Sequence, residues 1–203
     1  MPIGIPRVGY RLPGDESAQW VDIYNRLYRE RVLFLGSELN DELANQLIAL
    51  LIYLGAEDAS KRIFMYINSP GGSLIAGLGV HDAINHSGAP ITTIGIGNIA
   101  SMASFILCSG DKNNRISLPH TRVMIHQPNT GNLGAAAEVM STTMEVVRMR
   151  NSVVELYAKQ TGQSVSTIAR DLDRDRYLGA QEAKTYGLVD LIVDKYEQVP
   201  GAA

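Results

Sequence analysis

The sequence holds a single cysteine, Cys108, so no disulfide can form within the chain and a reducing compartment is permitted. It has no excess of basic charge. Its 18 Lys and Arg stand against 21 Asp and Glu, a net charge of −3. With no basic tract either, there is no electrostatic case for nucleic acid. The longest apolar run, Leu47 to Leu54, is far short of the roughly 20 residues that span a bilayer and reads as a core helix. The opening Met1-Pro2-Ile3-Gly4-Ile5-Pro6 has neither the basic start and apolar segment of a secretory signal nor the Arg/Ser-rich character of a transit peptide. The protein is therefore expected to act where it is made. There is no H-E-x-x-H and no cysteine pair, which argues against metal chemistry. The phosphate-binding G-x-x-x-x-G-K-[ST] and the nucleophile elbow G-x-S-x-G are also missing, as are low-complexity linkers and long repeats.

What is present is 203 residues, 45% hydrophobic and 19% charged, which suits one soluble α/β domain with a full core. Residues 1–16 hold three prolines and three glycines, and are expected to stay out of regular structure as a mobile arm or axial loop. Trp20, Ile23, Tyr24 and Leu27 recur at helical spacing, and Val32 to Gly36 reads as a buried strand. Asn40, with Asp41 and Glu42 behind it, starts a helix predicted to stop at Gly55. Then comes a strand over Arg62 to Asn68, the turn Ser69-Pro70-Gly71-Gly72, and a helix through Leu74, Ile75, Leu78 and Ala83. The scheme repeats with a strand over Ile91 to Ile94, a glycine turn, a helix after Ser101, and a further strand over Val123 to Ile125. Such alternation predicts parallel strands covered by helices. A long helix from about 132 to 160 should carry Met140, Met144, Val147, Val154 and Tyr157 on one face, and at about 1.5 Å per residue it is longer than a small domain needs. It suits an arm that engages a partner subunit. Ser164 caps a short helix through Leu172, another covers Ala180 to Tyr186, and Leu188 to Val193 is a closing strand.

Ser101 follows a β-branched run and opens a helix, where unpaired backbone N–H groups can stabilise an oxyanion. It is a candidate nucleophile. The plainer alternative is an N-cap serine. The overlapping Gly95-Ile96-Gly97-Asn98-Ile99-Ala100 formally fits the dinucleotide fingerprint G-x-G-x-x-A, but Asp111 follows a loop-like stretch and does not end a strand as the acidic partner should. Of four histidines, His81 lies mid-helix, His86 near a helix end and His120 in a turn. His126 ends a strand, where parallel sheets build sites, and is the candidate base. Three aspartates, Asp171, Asp173 and Asp175, compete to orient it within the run Arg170 to Arg176, and spacing does not choose among them. Gly71-Gly72 offers backbone donors at a turn, a weak signal alone.

Taken together, Tyr66-Ile67-Asn68-Ser69-Pro70-Gly71-Gly72, Ala100-Ser101-Met102, Arg122 to Pro128, and Asp173-Arg174-Asp175-Arg176-Tyr177 followed by Tyr186 to Asp190 closely resemble the proteolytic subunits of the Clp protease, the ClpP-type serine peptidases. The resemblance covers nearly the whole chain. It implies the α/β ClpP/crotonase-like spiral of β-β-α units with a protruding handle helix, here residues 132–160. It makes Ser101 the nucleophile, His126 the general base and acid, Asp175 its orienting partner, and the N–H groups of Gly72 and Met102 the oxyanion hole. It further implies two stacked seven-membered rings around a chamber, an axial loop at residues 1–16, Phe64 and Tyr66 in a docking pocket for an AAA-plus chaperone, and Arg174 at the ring contact. ATP is then spent by that chaperone, and no cofactor is expected in this chain.

The opening residues and Trp20 to Leu27 look most like plastid-encoded and cyanobacterial members, so the chloroplast stroma is the expected location, with a cyanobacterial cytoplasm as the alternative. In those lineages rings often mix active subunits with paralogues, so a hetero-oligomer is expected. A catalytically weak structural ring subunit is the alternative role, and a crotonase-type acyl-CoA enzyme a more distant one. Ile99 stands where the family usually has alanine, and Ala103-Ser104 where Gly-Ala or Gly-Ser is usual. Ile99 is expected to add bulk near the turn and alter the substrate pocket.

Overall fold

The computed structural model describes residues 4–11, 18–129 and 134–201. What was expected of 1–3, 12–17 and the first two residues of the long helix lies outside them. The N-terminal segment is more regular than its prolines and glycines suggest. β1 (Arg7–Tyr10) pairs antiparallel with β2 (Gln19–Asp22), with Gly9 opposite Trp20. Trp20 therefore belongs to a strand and is 70% exposed, not the first residue of a helical face. Helix α1 (Ile23–Arg29) starts only where the Asp22 carboxylate accepts from the Asn25 amide. The cap sets the boundary, and the apolar period does not.

The main sheet is built on the parallel strands β3 (Val32–Leu35), β4 (Ile63–Ser69) and β5 (Ile91–Ala100). β5 then serves two neighbours. Its first half pairs with β6 (Arg115–Ser117) and its second half with β7 (Arg122–Ile125), both parallel. β7 pairs antiparallel with β8 (Arg176–Gly179), while β6 pairs parallel with β9 (Leu191–Ile192), which is shorter than the closing strand expected over 188–193. The glycine turn expected after Ile94 is absent, because the strand runs on through Gly95 and Gly97 to Ala100. Against β4 the register jumps from Ile67–Gly95 to Ser69–Ile99, so the extra residues form a bulge with Gly97 at φ +66°. The glycines of the apparent dinucleotide fingerprint thus lie inside a strand rather than in a phosphate-binding turn.

Helix α2 (Asp41–Glu57) is capped by Asn40, whose side chain accepts from Leu43, with Asp41 and Glu42 in its first turn. It does not stop at Gly55. A Cβ there would lie 2.2 Å from the Ser87 carbonyl at the end of α3 (Leu74–His86), so the glycine permits a close helix contact. α4 (Met102–Cys108) is buried along its whole length. α5 (Ala136–Thr161) runs about 39 Å at 1.5 Å per residue and ends on Gly162 in the left-handed conformation. Its character changes along its length: Val154 and Tyr157 are buried, while Met140, Met144 and Val147 are 66, 56 and 50% exposed. α6 (Val165–Asp171) is capped by Ser164, and α7 (Ala180–Tyr186) ends on left-handed Gly187.

One face of the sheet packs on α2, α3 and α4 through Leu47, Leu51, Val80 and Phe105, all fully or almost fully buried. The other face carries a smaller cluster of Ile94, Ile116, Val193 and Val199, against which Phe64 and Tyr66 rest half-buried. Ile99 is wholly buried beneath the site, its Cδ1 occupying the space a Cβ on Gly95 would need. Its bulk goes into the core and not, as expected, into the substrate pocket. Cys108 packs there too, and burial pushes its thiol up to about 12.

β6 is tied to the end of α5 and to the segment before β9 by a buried ion pair. Arg115 Nε lies 2.9 Å from Asp190 Oδ2, and its Nη1 donates to the Gln160 carbonyl at 2.9 Å. Burial alone would raise the Asp190 carboxyl, but hydrogen bonds from Arg115 outweigh it and hold the group below its ordinary value. This stabilisation is present at neutral pH and disappears as the pH falls through that depressed value. Asp190→Asn should cost about 2–3 kcal/mol at neutral pH by leaving a buried guanidinium short of its counter-charge. Urea denaturation should show the gap to wild type closing only below the ordinary carboxylate value of 3.8.

Candidate active site

The register of β5, β7 and β8 assembles the site. Ala100 is level with Met124, and the next amide, Ser101 N, donates to the Met124 carbonyl at 2.9 Å. Across the antiparallel pair, Ile125 faces Arg176. One step further along each strand stand His126 and Asp175. His126 Nε2 is 2.9 Å from Ser101 Oγ, and its Nδ1 is 3.2 Å from Asp175 Oδ1. The imidazole thus bridges a hydroxyl and a carboxylate, the arrangement that lets it accept the hydroxyl proton while the carboxylate fixes the ring. His126 is largely enclosed, with 19% of its side chain exposed, whereas Asp175 sits at the edge with 57% exposed.

Ser101 does not act as a helix cap. It precedes α4 but makes no side-chain cap hydrogen bond, and its backbone sits at φ +57°, ψ −129°. For a serine this conformation costs on the order of 1–3 kcal/mol and persists only where its surroundings enforce it. Gly71, itself at φ +94°, lies so close that a Cβ on it would be 2.6 Å from the Ser101 Cβ. Gly72 forms a parallel bridge to Leu39 in which the Gly71 carbonyl and the Ser73 amide make the hydrogen bonds. The Gly72 amide is left facing away from that bridge. Met102 is the first residue of α4, so its amide has no carbonyl four residues back within the helix. Both residues line one cavity of about 310 Å³ together with Ser101 and His126. Its apolar wall comes from Leu74, Met124, Val153 and Tyr157.

The charged run after α6 divides by contact. Asp171 accepts from Arg176, from Arg170, and from the Tyr186 hydroxyl at 3.0 Å. Burial would raise its carboxyl, but these partners hold it below the ordinary range. It is a structural ion pair. Asp173 contributes its carbonyl to the Gln127 side chain, 3.1 Å away. Only Asp175 of the three meets His126, a choice spacing had left open. Arg174 is exposed beside it. Phe64 and Tyr66 lie away from this cavity, with the Tyr66 ring stacked on Phe34 at 5.5 Å.

The remaining histidine with defined partners is His81, buried with Nδ1 2.8 Å from Ser109 Oγ. Because that hydroxyl donates to the Phe105 carbonyl, His81 must donate to it through Nδ1 and serves as a neutral core group. The sequence reading gave no role to Gln127, although it follows the candidate base. Its amide donates to the Leu172 carbonyl at 2.6 Å and its side chain accepts from Arg150 of α5 at 3.1 Å, tying β7 to two helices.

Residues 14–196 match the family model described as Clp protease. The chain is 63% identical over 192 residues to a protein of Ostreococcus tauri named ATP-dependent Clp protease proteolytic subunit, covering 95% of this chain and 96% of that one. It is 58% identical over 192 residues to the like-named protein of Chlorella vulgaris, and 55% identical over 193 residues to that of Chara vulgaris, with 95% of this chain covered each time and 96% and 88% of theirs. A family match across most of its length and identities of this size mean that the chain belongs to the Clp protease family.

Proposed function

We propose that this chain is the proteolytic subunit of an ATP-dependent Clp protease, a serine endopeptidase that cleaves unfolded polypeptides through an acyl-enzyme on Ser101. The observation that carries the reading is the pair of contacts made by one imidazole: Ser101 Oγ at 2.9 Å and Asp175 Oδ1 at 3.2 Å from its two nitrogens. Ser101 Oγ attacks the substrate carbonyl as His126 Nε2 takes its proton, and Asp175 holds the other nitrogen as the donor. The carbonyl oxygen becomes an oxyanion that receives hydrogen bonds from the Gly72 and Met102 amides. The imidazolium then protonates the leaving amine, and the C–N bond breaks. Water, deprotonated by the same histidine, releases the acyl group and restores the serine. The apolar wall of Leu74, Met124 and Val153 accommodates a substrate side chain beside the scissile bond.

The assembly follows from the same reading. The outer half of α5 presents Met140, Met144 and Val147, spaced i, i+4, i+7, at 50 to 66% exposure, as a handle through which two seven-membered rings join. Arg174, exposed next to Asp175, lies at that contact. Phe64 and Tyr66, with Phe34, form the apical docking pocket for a loop of an AAA-plus chaperone. That partner spends the ATP, and this chain binds neither nucleotide nor metal. The N-terminal strand pair lines the axial entrance, paralogues share the ring, and the chloroplast stroma is the site of action.

A fluorophosphonate applied to the assembled wild-type complex should form an adduct on Ser101, and a mass map with Ser101 unmodified would reject the enzymatic reading in favour of a structural subunit. In a ring where this is the sole active subunit, Ser101→Ala should abolish peptide turnover. Asp175→Asn should lower kcat on the order of 10²-fold or more, since the imidazole loses the partner that sets its tautomer. Light scattering tests the assembly separately: a stable, fully active monomer would contradict the role given to α5.

A further inference from the structure

We propose that Tyr157 is a positioning residue for the nucleophile, its hydroxyl acting through Ser104 to hold the peptide unit between Ser101 and Met102. The inference rests on the reading of Ser101 as nucleophile and of the Met102 amide as oxyanion donor.

Three oxygens form a chain. Ser104 Oγ is 2.6 Å from the Ser101 carbonyl oxygen and 2.8 Å from the Tyr157 hydroxyl. The carbonyl can only accept, so the single Ser104 hydroxyl hydrogen is committed to it. Tyr157 must then donate to Ser104 Oγ. The direction is therefore fixed from α5 to α4 to the turn: Tyr157 O–H to Ser104 O–H to Ser101 C=O. Hydrogen bonds in such a chain polarise and strengthen one another. Ser104 is fully buried and Tyr157 is 3% exposed, so bulk water is poorly placed to replace either link. Burial raises the phenol well above its ordinary value, which keeps the donor protonated at any working pH.

What the chain holds is the place where displacement costs most. The Ser101 carbonyl and the Met102 N–H belong to one planar peptide unit and point in opposite directions. Anchoring the oxygen beneath the turn aims the N–H at the cavity. That unit follows a serine held at φ +57°, whose own amide is pinned to the Met124 carbonyl at 2.9 Å. The Ser101 carbonyl also accepts the Ser104 amide at 3.0 Å and the Phe105 amide at 3.4 Å, so the hydroxyl is its shortest contact. Removing it loosens both the nucleophile's backbone and the oxyanion donor. The loss should fall on the transition state, because the ground-state carbonyl of the substrate asks less of that donor.

Tyr157→Phe removes the hydroxyl and keeps the ring that packs edge-on against Phe105 at 5.3 Å and walls the cavity. In the assembled complex, kcat for a peptide substrate should fall about three- to tenfold, with KM within twofold of wild type. The rate of fluorophosphonate labelling at Ser101 should fall in parallel. Ser104→Ala should give the same loss, and the double variant should be no worse than either single, because both cut one chain. Ser104→Ala deletes a single oxygen at the start of α4, so this variant is expected to assemble and decides the matter if Tyr157→Phe does not. An unchanged kcat in an assembled single variant would overturn the proposal. So would a rise in KM alone, which would make Tyr157 only a wall, or losses that multiply in the double variant. Failure of wild type to label at Ser101 would instead overturn the underlying nucleophile assignment.

Discussion

The backbone of Ser101 is the constraint on which the site depends. A serine at φ +57° directly after a strand is turned so that its side chain leaves the helix end it would ordinarily cap and meets an imidazole. That geometry is unfavourable for the residue alone and has to be imposed from several sides. The Met124 carbonyl holds the amide, the Ser104 hydroxyl and two amides hold the carbonyl, and Gly71 leaves the Cβ just enough room. The contacts to the carbonyl come from the first turn of α4, while those to the amide and the Cβ come from elsewhere in the chain. The cost of a strained serine is met by the turn after β4, by β7 and α4, and through Tyr157 by α5.

The split of β5 between two neighbours makes that convergence possible. While it pairs with β6 it is an ordinary central strand, fully buried and β-branched. After the bulge at Gly97 it leaves β6 and takes β7, which delivers Met124 and then His126 beside Ser101. β7 in turn carries β8 on its far side, and the antiparallel register there places Asp175 level with His126. Three side chains from segments 25 and 49 residues apart thus meet through two registers, each fixed by backbone hydrogen bonds. A slip of one residue in either would turn the side chains to opposite faces and dissolve the site.

Those registers explain which parts were legible in the sequence. The alternation of strands and helices and the caps at Asn40 and Ser164 are local signals, and they read correctly. Gly55 and Gly95 misled in related ways: Gly55 is glycine because the end of α3 approaches it, and Gly95 because the Ile99 side chain of its own strand folds back over it, and each resembles a stop or a turn when only the chain is in view. Ile99 misled likewise, since its partner is the space above Gly95. The choice among Asp171, Asp173 and Asp175 depended on an antiparallel strand hidden in a run of alternating charge, where no apolar period marks β8. Only resemblance to a family singled out Asp175. His126 was legible because the end of a parallel strand is a site-building position on general grounds.

Asp175 also shows how much of the chemistry is left to the surroundings of the fold. With 57% of its side chain exposed beside an exposed Arg174, it touches His126 directly at 3.2 Å from the solvent-facing edge of the site. At a separation of about 4 Å two unit charges interact by about 1 kcal/mol in water and about 4 kcal/mol near a protein surface. The contact is a surface one, so the second figure applies, and solvent and salt weaken it further. The serine end of the relay is different, since Ser104 and Tyr157 are sealed within the chain itself. On the proposed reading the nucleophile is held by packing inside the chain, and the base by a contact that solvent reaches.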